Sequence, residues 1–333
     1  MENITEEKKL QPRMRAAFCG LLLAVAANTH AGEREVSLDW LKTVAFAAHQ
    51  TDYSGVFVYQ YDNRVETSRI IHVVEPDSEY EKLESLDGPK REIIRHHGQV
   101  WCYISHKMVQ VDSQQGRSRF PSLLPEQLSA LSANYQAKEA GMERVAGYNT
   151  HVILFQPRDN LRYAYKIWVN TDSGLLLKAA VLGIKNEVVE QYAFTQLQIG
   201  GNIDRTWIGV KKSLRHDAEP SLSPGLVKGG TPINSGWVVD ALPVGFKKTM
   251  EIQRSMRGKH APVTQIVYSD GLSAISIFIE PSDEDEDDKD GLSSRGAVNL
   301  YHKVLDKHLI TVVGEVPPRT VMQVLDSVRH NGK

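Results

Sequence analysis

The chain has 333 residues, with 39 basic and 41 acidic side chains and a formal net charge of −2. A hydrophobic share of 41% and a charged share of 24% are those of a soluble globular protein, not of a disordered or fibrous one. The length suits one large domain or two of ordinary size, and the charge balance gives no reason to expect nucleic acid.

The first residues have the layout of an export signal. Lys8, Lys9, Arg13 and Arg15 form a basic region, Ala16–Ala27 is a short apolar core, and Thr29-His30-Ala31 places small residues before a cleavage point. About 12 apolar residues fall short of the roughly 20 that span a bilayer, so residues 1–31 read as a cleaved signal peptide. Cleavage removes Cys19 and leaves Cys102 alone, which excludes an intrachain disulfide.

Ser37–His49 reads as a helix: Ser37 is a good N-cap, and Leu38, Leu41, Val44, Ala45 and Ala48 form an apolar stripe. Four strands follow, Tyr53–Tyr61, Arg64–Val74, Glu79–Asp87 and Lys90–His96, with turn pairs at Asp62-Asn63 and Asp87-Gly88. The first carries Phe57, Tyr59 and Tyr61 on one face and Val56 and Val58 on the other. Such a strand lies between packed layers or lines an apolar cavity. Gln99–Ser105 and Met108–Asp112 are two further strands. Arg117–Pro125 is a loop, yet Phe120, Leu123 and Leu124 are apolar residues a surface connection does not expose freely. Glu126–Lys138 has a helical pattern through Leu128, Leu131 and Tyr135. Strands resume at Thr150–Gln156, Leu161–Asn170, Gly174–Leu182 and Glu187–Gln198. About ten strands in an antiparallel meander must curl, split or close, and a strongly curved sheet with helices on its concave side is the natural outcome.

Residues 215–235, rich in Pro, Gly and Ser from Asp217 on, read as a linker. The organisation expected is therefore a large domain over 37–214 and a small one over 236–333. In the second, Val238–Leu242 and Phe246–Arg254 are strands, Val263–Tyr268 and Leu272–Glu280 form a hairpin about Asp270-Gly271, and Ala297–Val304 and His308–Glu315 form another. Pro317-Pro318 then opens a helix, Arg319–His330. The class is α+β and mostly antiparallel β.

Catalytic signatures are absent. There is no G-x-S-x-G elbow, H-E-x-x-H, C-x-x-C, phosphate loop or G-x-G-x-x-G. His96 and His97, adjacent in a strand, should point to opposite faces. His302 and His308 lie on strands expected to pair and could approach each other, without an evident third ligand. Asp283–Asp290 holds seven acids and one lysine and partly mimics a calcium loop, but the twelfth position is Ala297 where a bidentate Glu is required. No metal, cofactor or enzymatic activity is expected. Binding remains. Phe57, Tyr59, Trp101, Tyr103, Tyr163, Tyr165 and Trp168 either fill a core or line a lipid cavity in the curved sheet. Lys211, Lys212, Arg215, Trp237, Arg254 and Arg257 are candidates for contact with an acidic or extended partner, which could also add to a strand edge.

Several long stretches carry a resemblance: SGVFVYQ, SRIIHV and EKLESLDGPKREIIR in the first third, YSDGLSAISIFIE, GAVNLYHKV and ITVVGEVPP in the last. They resemble the RseB/MucB family of periplasmic negative regulators of an envelope-stress sigma factor. The resemblance implies an N-terminal domain similar to the LolA/LolB lipoprotein carriers, a half-open β-barrel capped by helices, followed by a smaller domain. It implies a periplasmic protein that binds the periplasmic part of a RseA/MucA-like anti-sigma factor and shields it from a site-1 protease, with lipid or lipopolysaccharide relieving the shielding; a homodimer is compatible with it. A lipid or lipoprotein carrier is the alternative. The acidic run Asp283–Asp290 departs from the family pattern.

Overall fold

The fold is described from a computed structural model, which covers residues 35–104, 107–111, 119–125, 128–208, 230–256, 258–259, 261–282 and 291–331. The expected signal peptide, most of the expected linker, Asp283–Asp290, Lys211, Lys212, Arg215 and Arg257 lie outside the described residues.

Helix α1 spans Leu38–Gln50, and the Ser37 Oγ caps it by accepting from the Trp40 N–H at 3.3 Å. Leu41, Val44, Ala45 and Ala48 of the expected stripe are buried against the first sheet, whereas Leu38, in the first turn, is exposed. Eleven strands follow: β1 Tyr53–Tyr61, β2 Arg64–Glu75, β3 Ser78–Ser85, β4 Arg91–His96, β5 Gln99–Ile104, β6 Lys107–Val111, β7 Tyr135–Val145, β8 Tyr148–Pro157, β9 Ala164–Asn170, β10 Leu176–Leu182 and β11 Val188–Ile199. A short helix α2, Ser129–Asn134, precedes β7. The strands form one antiparallel sheet ordered β6-β5-β4-β3-β2-β1-β11-β10-β9-β8-β7. The chain runs outward from β1 to one edge, crosses, and returns strand by strand to the partner of β1. Strands β6 and β7 are the two ends, so the barrel is not closed. At Gly55 in β1 a Cβ would stand 2.6 Å from the Gln196 carbonyl oxygen, so only glycine allows this approach.

The helical pattern expected over Glu126–Lys138 is realised only in α2. From Tyr135 onward the chain pairs with β8 instead, through the turn Ala146-Gly147, where both residues have positive φ (47° and 88°). Two left-handed residues in sequence give the twist of a tight hairpin, and pairing with β8 overrides a weak local helix preference.

The second sheet holds β12 Thr231–Pro232, β14 Lys247–Arg254, β15 Val263–Ser269, β16 Ala274–Pro281, β17 Gly291–Arg295, β18 Val298–Leu305 and β19 His308–Gly314, in the order β12-β14-β15-β16-β19-β18-β17. A separate pair is made by β13 Trp237–Val239 and β20 Val328–His330. Thr231 and Pro232 already pair with Gln253 and Ile252, so the sheet begins inside the stretch expected to be linker. Helix α3, Pro318–Asp326, lays Val321, Val324 and Leu325 on the sheet beside Ile266, Ile275, Ile277 and Val312. The expected terminal helix is thus shorter: Val328–His330 pairs with β13, which buries Val328 and Trp237. No described helix is long and apolar enough to cross a membrane. Residues Glu33–Lys333 form one compact unit, so the two sheets pack on each other.

Candidate functional site

An apolar cavity of about 330 Å³ lies where the inner face of the first sheet meets the second. That volume is at the small end of ligand pockets, roughly 300–1,000 Å³. Phe57 of β1, Phe155 of β8, Tyr165 and Ile167 of β9, Ala179 of β10 and Tyr192 of β11 form its floor. Phe120, Leu123 and Leu124, from a turn over 119–125, form one wall, and Leu272, Ala297 and Glu315, from connections at the strand ends of the second sheet, close another. Period-two alternation decides the membership: Tyr165 and Ile167 point in, while Trp168, between Lys166 and Lys178, points to the opposite face. The aromatic floor is tightly associated, with Tyr59 stacked on Tyr192 at 4.3 Å and Phe120 on Tyr192 at 5.5 Å.

Polar bonds seal the junction of the two sheets around this cavity. Arg162 donates from Nε to Asp270 at 2.6 Å and from its other nitrogens to Asp159 and to the Val244 carbonyl. Asp270 also accepts from the Leu272 and Ser273 N–H groups, at 3.0 and 2.8 Å. Glu190 accepts from the Tyr59 hydroxyl at 2.9 Å and from the Ala297 N–H at 3.0 Å. Arg295 donates to the Tyr61 hydroxyl at 2.5 Å, and Asn299 donates to Tyr163 at 3.0 Å. Burial, and then the Glu190 charge, pushes the Tyr59 phenol far above its ordinary value, so it stays a donor. Tyr165 and Tyr135 are likewise raised, chiefly by burial.

A second, polar recess of about 420 Å³ adjoins the cavity and shares Arg119 and Leu124 with it. In it His49 Nδ1 lies 3.1 Å from Glu79 Oε2 and His49 Nε2 lies 2.8 Å from Ser122 Oγ. His72 Nε2 is 3.5 Å from the same carboxylate, and its Nδ1 is 2.9 Å from the Thr51 carbonyl oxygen. The hydrogen bonds from His49 and His72 hold the Glu79 carboxyl down at about 2. Burial, and then the neighbouring Arg119, lowers Arg95 to about 10, while its guanidinium pairs with Glu81. His96 and His97 do not point to opposite faces: β4 ends at His96, His97 turns back with φ of 47°, and their rings lie 4.0 Å apart. His302 and His308 stay apart, because His302 pairs with Thr311 and His308 with Leu305.

The aromatic candidates fall into three groups. Phe57 and Tyr165 line the cavity, with Tyr59 stacked between Tyr61 and the cavity-lining Tyr192, and Tyr163 at the junction with Ala297 and Val181. Trp168 is buried on the opposite face, where its Nε1 donates to Glu143 at 2.8 Å. Trp101 and Tyr103 belong to a separate cluster with Val73, Tyr80 and Trp207. Of the partner candidates, Trp237 is buried in the second core, edge-on to His308 and His330, and Arg254 sits half-buried on β14. The structure adds Tyr192, Glu190, Arg162, Asp270 and the His49–Ser122 contact. Only the apolar content of the 119–125 loop signalled any of this in the sequence.

Comparison with known proteins covers nearly the whole chain. The family model described as the MucB/RseB N-terminal domain matches residues 37–211, and that of the MucB/RseB C-terminal domain matches 231–329. The Sigma factor AlgU regulatory protein MucB of Pseudomonas aeruginosa is 33% identical over 322 residues, which is 95% of this chain and 98% of that protein. The Sigma-E factor regulatory protein RseB of Salmonella typhimurium is 27% identical over 310 residues, 92% of this chain and 94% of that protein. Among solved structures, the Pseudomonas aeruginosa MucA/MucB complex matches with a TM-score of 0.71 and 29% identity, covering 88% of this chain and 98% of that one. MucB in complex with MucA(peri) matches with a TM-score of 0.69 at the same identity and coverage.

Proposed function

This chain belongs to the MucB/RseB family, and from that premise we propose that it is a periplasmic regulator of an envelope-stress sigma factor. It binds the periplasmic domain of a transmembrane, MucA-like anti-sigma factor and shields it from site-1 proteolysis. The observation that supports this most is the near-full-length likeness to MucB, which has been solved in complex with MucA. The mechanism is occlusion: a segment held against this protein does not enter the protease. Arg254 on β14, together with Lys211, Lys212, Arg215 and Arg257 of the sequence, supplies the positive charge for acidic partner groups, and Trp237 supports the β13–β20 pair.

Relief comes from a lipid or lipopolysaccharide whose acyl chain enters the apolar cavity. The cavity walls belong to both sheets, so an occupant presses on Leu272 and Ala297 as well as on Phe57 and Tyr192. A ligand shifts such an arrangement only as far as its affinities for the two states differ.

The rate at which a site-1 protease cuts the anti-sigma periplasmic domain, with and without this protein, tests the proposal. Slower cutting at stoichiometric protein supports it, and an unchanged rate with folded protein overturns it. A lipid carrier is the second reading, favoured by the cavity alone. It needs only the first sheet, whereas Leu272, Ala297 and Glu315 come from connections at the strand ends of the second. Deleting residues 236–333 should leave a carrier active and abolish protection by a regulator.

A further inference from the structure

The turn over 119–125 walls the apolar cavity, yet it belongs to neither sheet. Its backbone hydrogen bonds among the described residues are internal: the Arg119 N–H donates to the Ser122 carbonyl at 2.9 Å, and the Leu123 N–H donates to the Pro121 carbonyl at 3.1 Å. Among the described residues its contacts with the sheets are made by side chains. Phe120 lies 5.2 Å from Phe57, 5.5 Å from Tyr192 and 5.0 Å from Phe194, ring to ring, and Leu124 is buried with it. A seven-residue turn held by two internal backbone bonds and by side-chain contacts with its neighbours can detach and loosen, freeing those two amides, while the sheets stay paired.

On its polar side the turn is tied down by Ser122. The hydroxyl lies 2.8 Å from His49 Nε2, and His49 Nδ1 lies 3.1 Å from Glu79. A carboxylate accepts and cannot donate, so the neutral imidazole carries its proton on Nδ1 and leaves Nε2 to accept the Ser122 hydroxyl. Glu79 in turn faces His72, whose Nδ1 meets the Thr51 carbonyl. One hydroxyl thereby connects the turn to α1, β2 and β3. The contact is directional and is lost at a small displacement, whereas apolar contacts fade gradually.

We propose that residues 119–125 are a lid over the apolar cavity and that the Ser122–His49 hydrogen bond is its latch. The identity of the ligand rests on the lipid reading above; the motion of the lid does not. Opening breaks the latch and lifts Phe120 and Leu124 off the aromatic floor, which admits an acyl-sized apolar group between Phe57 and Tyr192. Closing restores both, whether or not the cavity is filled. The latch therefore sets the rates of entry and exit more than the affinity.

The test uses the full mature protein and two readouts. The first is stopped-flow binding of a dansylated fatty acid, and the second is amide hydrogen exchange at Arg119 and Leu123 without ligand. Ser122→Ala and His49→Ala should each raise entry and exit rates together by about threefold to tenfold, leave Kd within about twofold, and speed exchange at both amides. Ser122→Thr, which keeps the hydroxyl, should behave as the parent. Faster exchange in a protein that never binds the probe would support the lid and overturn the lipid reading. Unchanged rates and unchanged exchange in both folded variants would overturn the lid. Faster exit with unaltered entry would also overturn it, because Ser122 would then be a contact made only with ligand present.

Discussion

Arg162 and Asp270, 108 positions apart in the chain, meet at 2.6 Å with side chains only 1% and 0% exposed. Asp270 opens the β15–β16 turn, and Arg162 precedes β9, so the pair joins one sheet to the other. The Arg162 guanidinium also lies 5.0 Å from the Phe246 ring centre. A fully buried pair adds little over a well-packed apolar pair, but removing one partner strands the other charge. Arg162→Ala or Asp270→Ala should therefore destabilise the protein by about 3–5 kcal/mol in urea unfolding. The double variant Arg162→Met with Asp270→Leu should lose less than either single variant. Equal losses in all three would mean that the pair is not the unit that matters.

Glu79 gives a pH signature. Its folded value of about 2 lies below the ordinary 4.5, because His49 and then His72 hydrogen-bond to the carboxylate. A depressed carboxyl stabilises the fold above its unfolded value and loses that contribution as the pH falls through the folded one. The stability difference between the parent and Glu79→Gln should be positive at neutral pH and shrink as the pH drops from 4.5 towards 2. Its size should be only a fraction of what the shift alone implies, since the side chain is 47% exposed and water screens it. A difference that does not vary with pH would remove the carboxylate from the account.

Much of this fold is legible in the sequence, because short-range chemistry specifies its turns. Asp87-Gly88 and Asp270-Gly271 lie at or beside hairpin turns, and the α1 stripe is buried from Leu41 to Ala48, with only Leu38 in the first turn left exposed. The β7–β8 hairpin is hidden because Tyr135, Leu131 and Leu128 fit a helical period as well as they fit a helix followed by a strand. The site is less legible. Tyr165 and Trp168 are three apart in one strand and so face opposite ways, but periodicity does not say which face holds the cavity. Nor can spacing bring Arg162 to Asp270 or Ser122 to His49, since those approaches follow from the packing of two sheets and a loop.

That parity makes a direct prediction for the cavity. Ala179 stands opposite Ile167 in the β9–β10 pair and lines the cavity floor, so a leucine there fills space an acyl chain would use. Ala179→Leu should weaken binding of a dansylated fatty acid by about tenfold, since each displaced or misfitted methylene matters in a pocket this small. Trp168→Phe, on the opposite face, should leave the affinity within about twofold. Equal effects of the two would place the probe elsewhere than in this cavity.

Gly296 isolates the second contact between the sheets. Its φ is +56°, and a Cβ there would stand 2.7 Å from Glu190 Oε2 and 3.1 Å from the Tyr61 Cβ. Two penalties thus apply to Gly296→Ala: about 1 kcal/mol for a left-handed alanine, and a further cost for displacing the carboxylate that accepts from the Ala297 N–H. They can be separated with a double-mutant cycle, because Glu190→Ala removes the nearer obstruction, the carboxylate, while leaving φ and the Tyr61 Cβ as they were. Gly296→Ala should cost about 2 kcal/mol in the parent and about half of that in the Glu190→Ala background. If the loss is the same in both backgrounds, the glycine is needed for its backbone angle alone, and Glu190 does not set how closely the Gly296 turn approaches the first sheet.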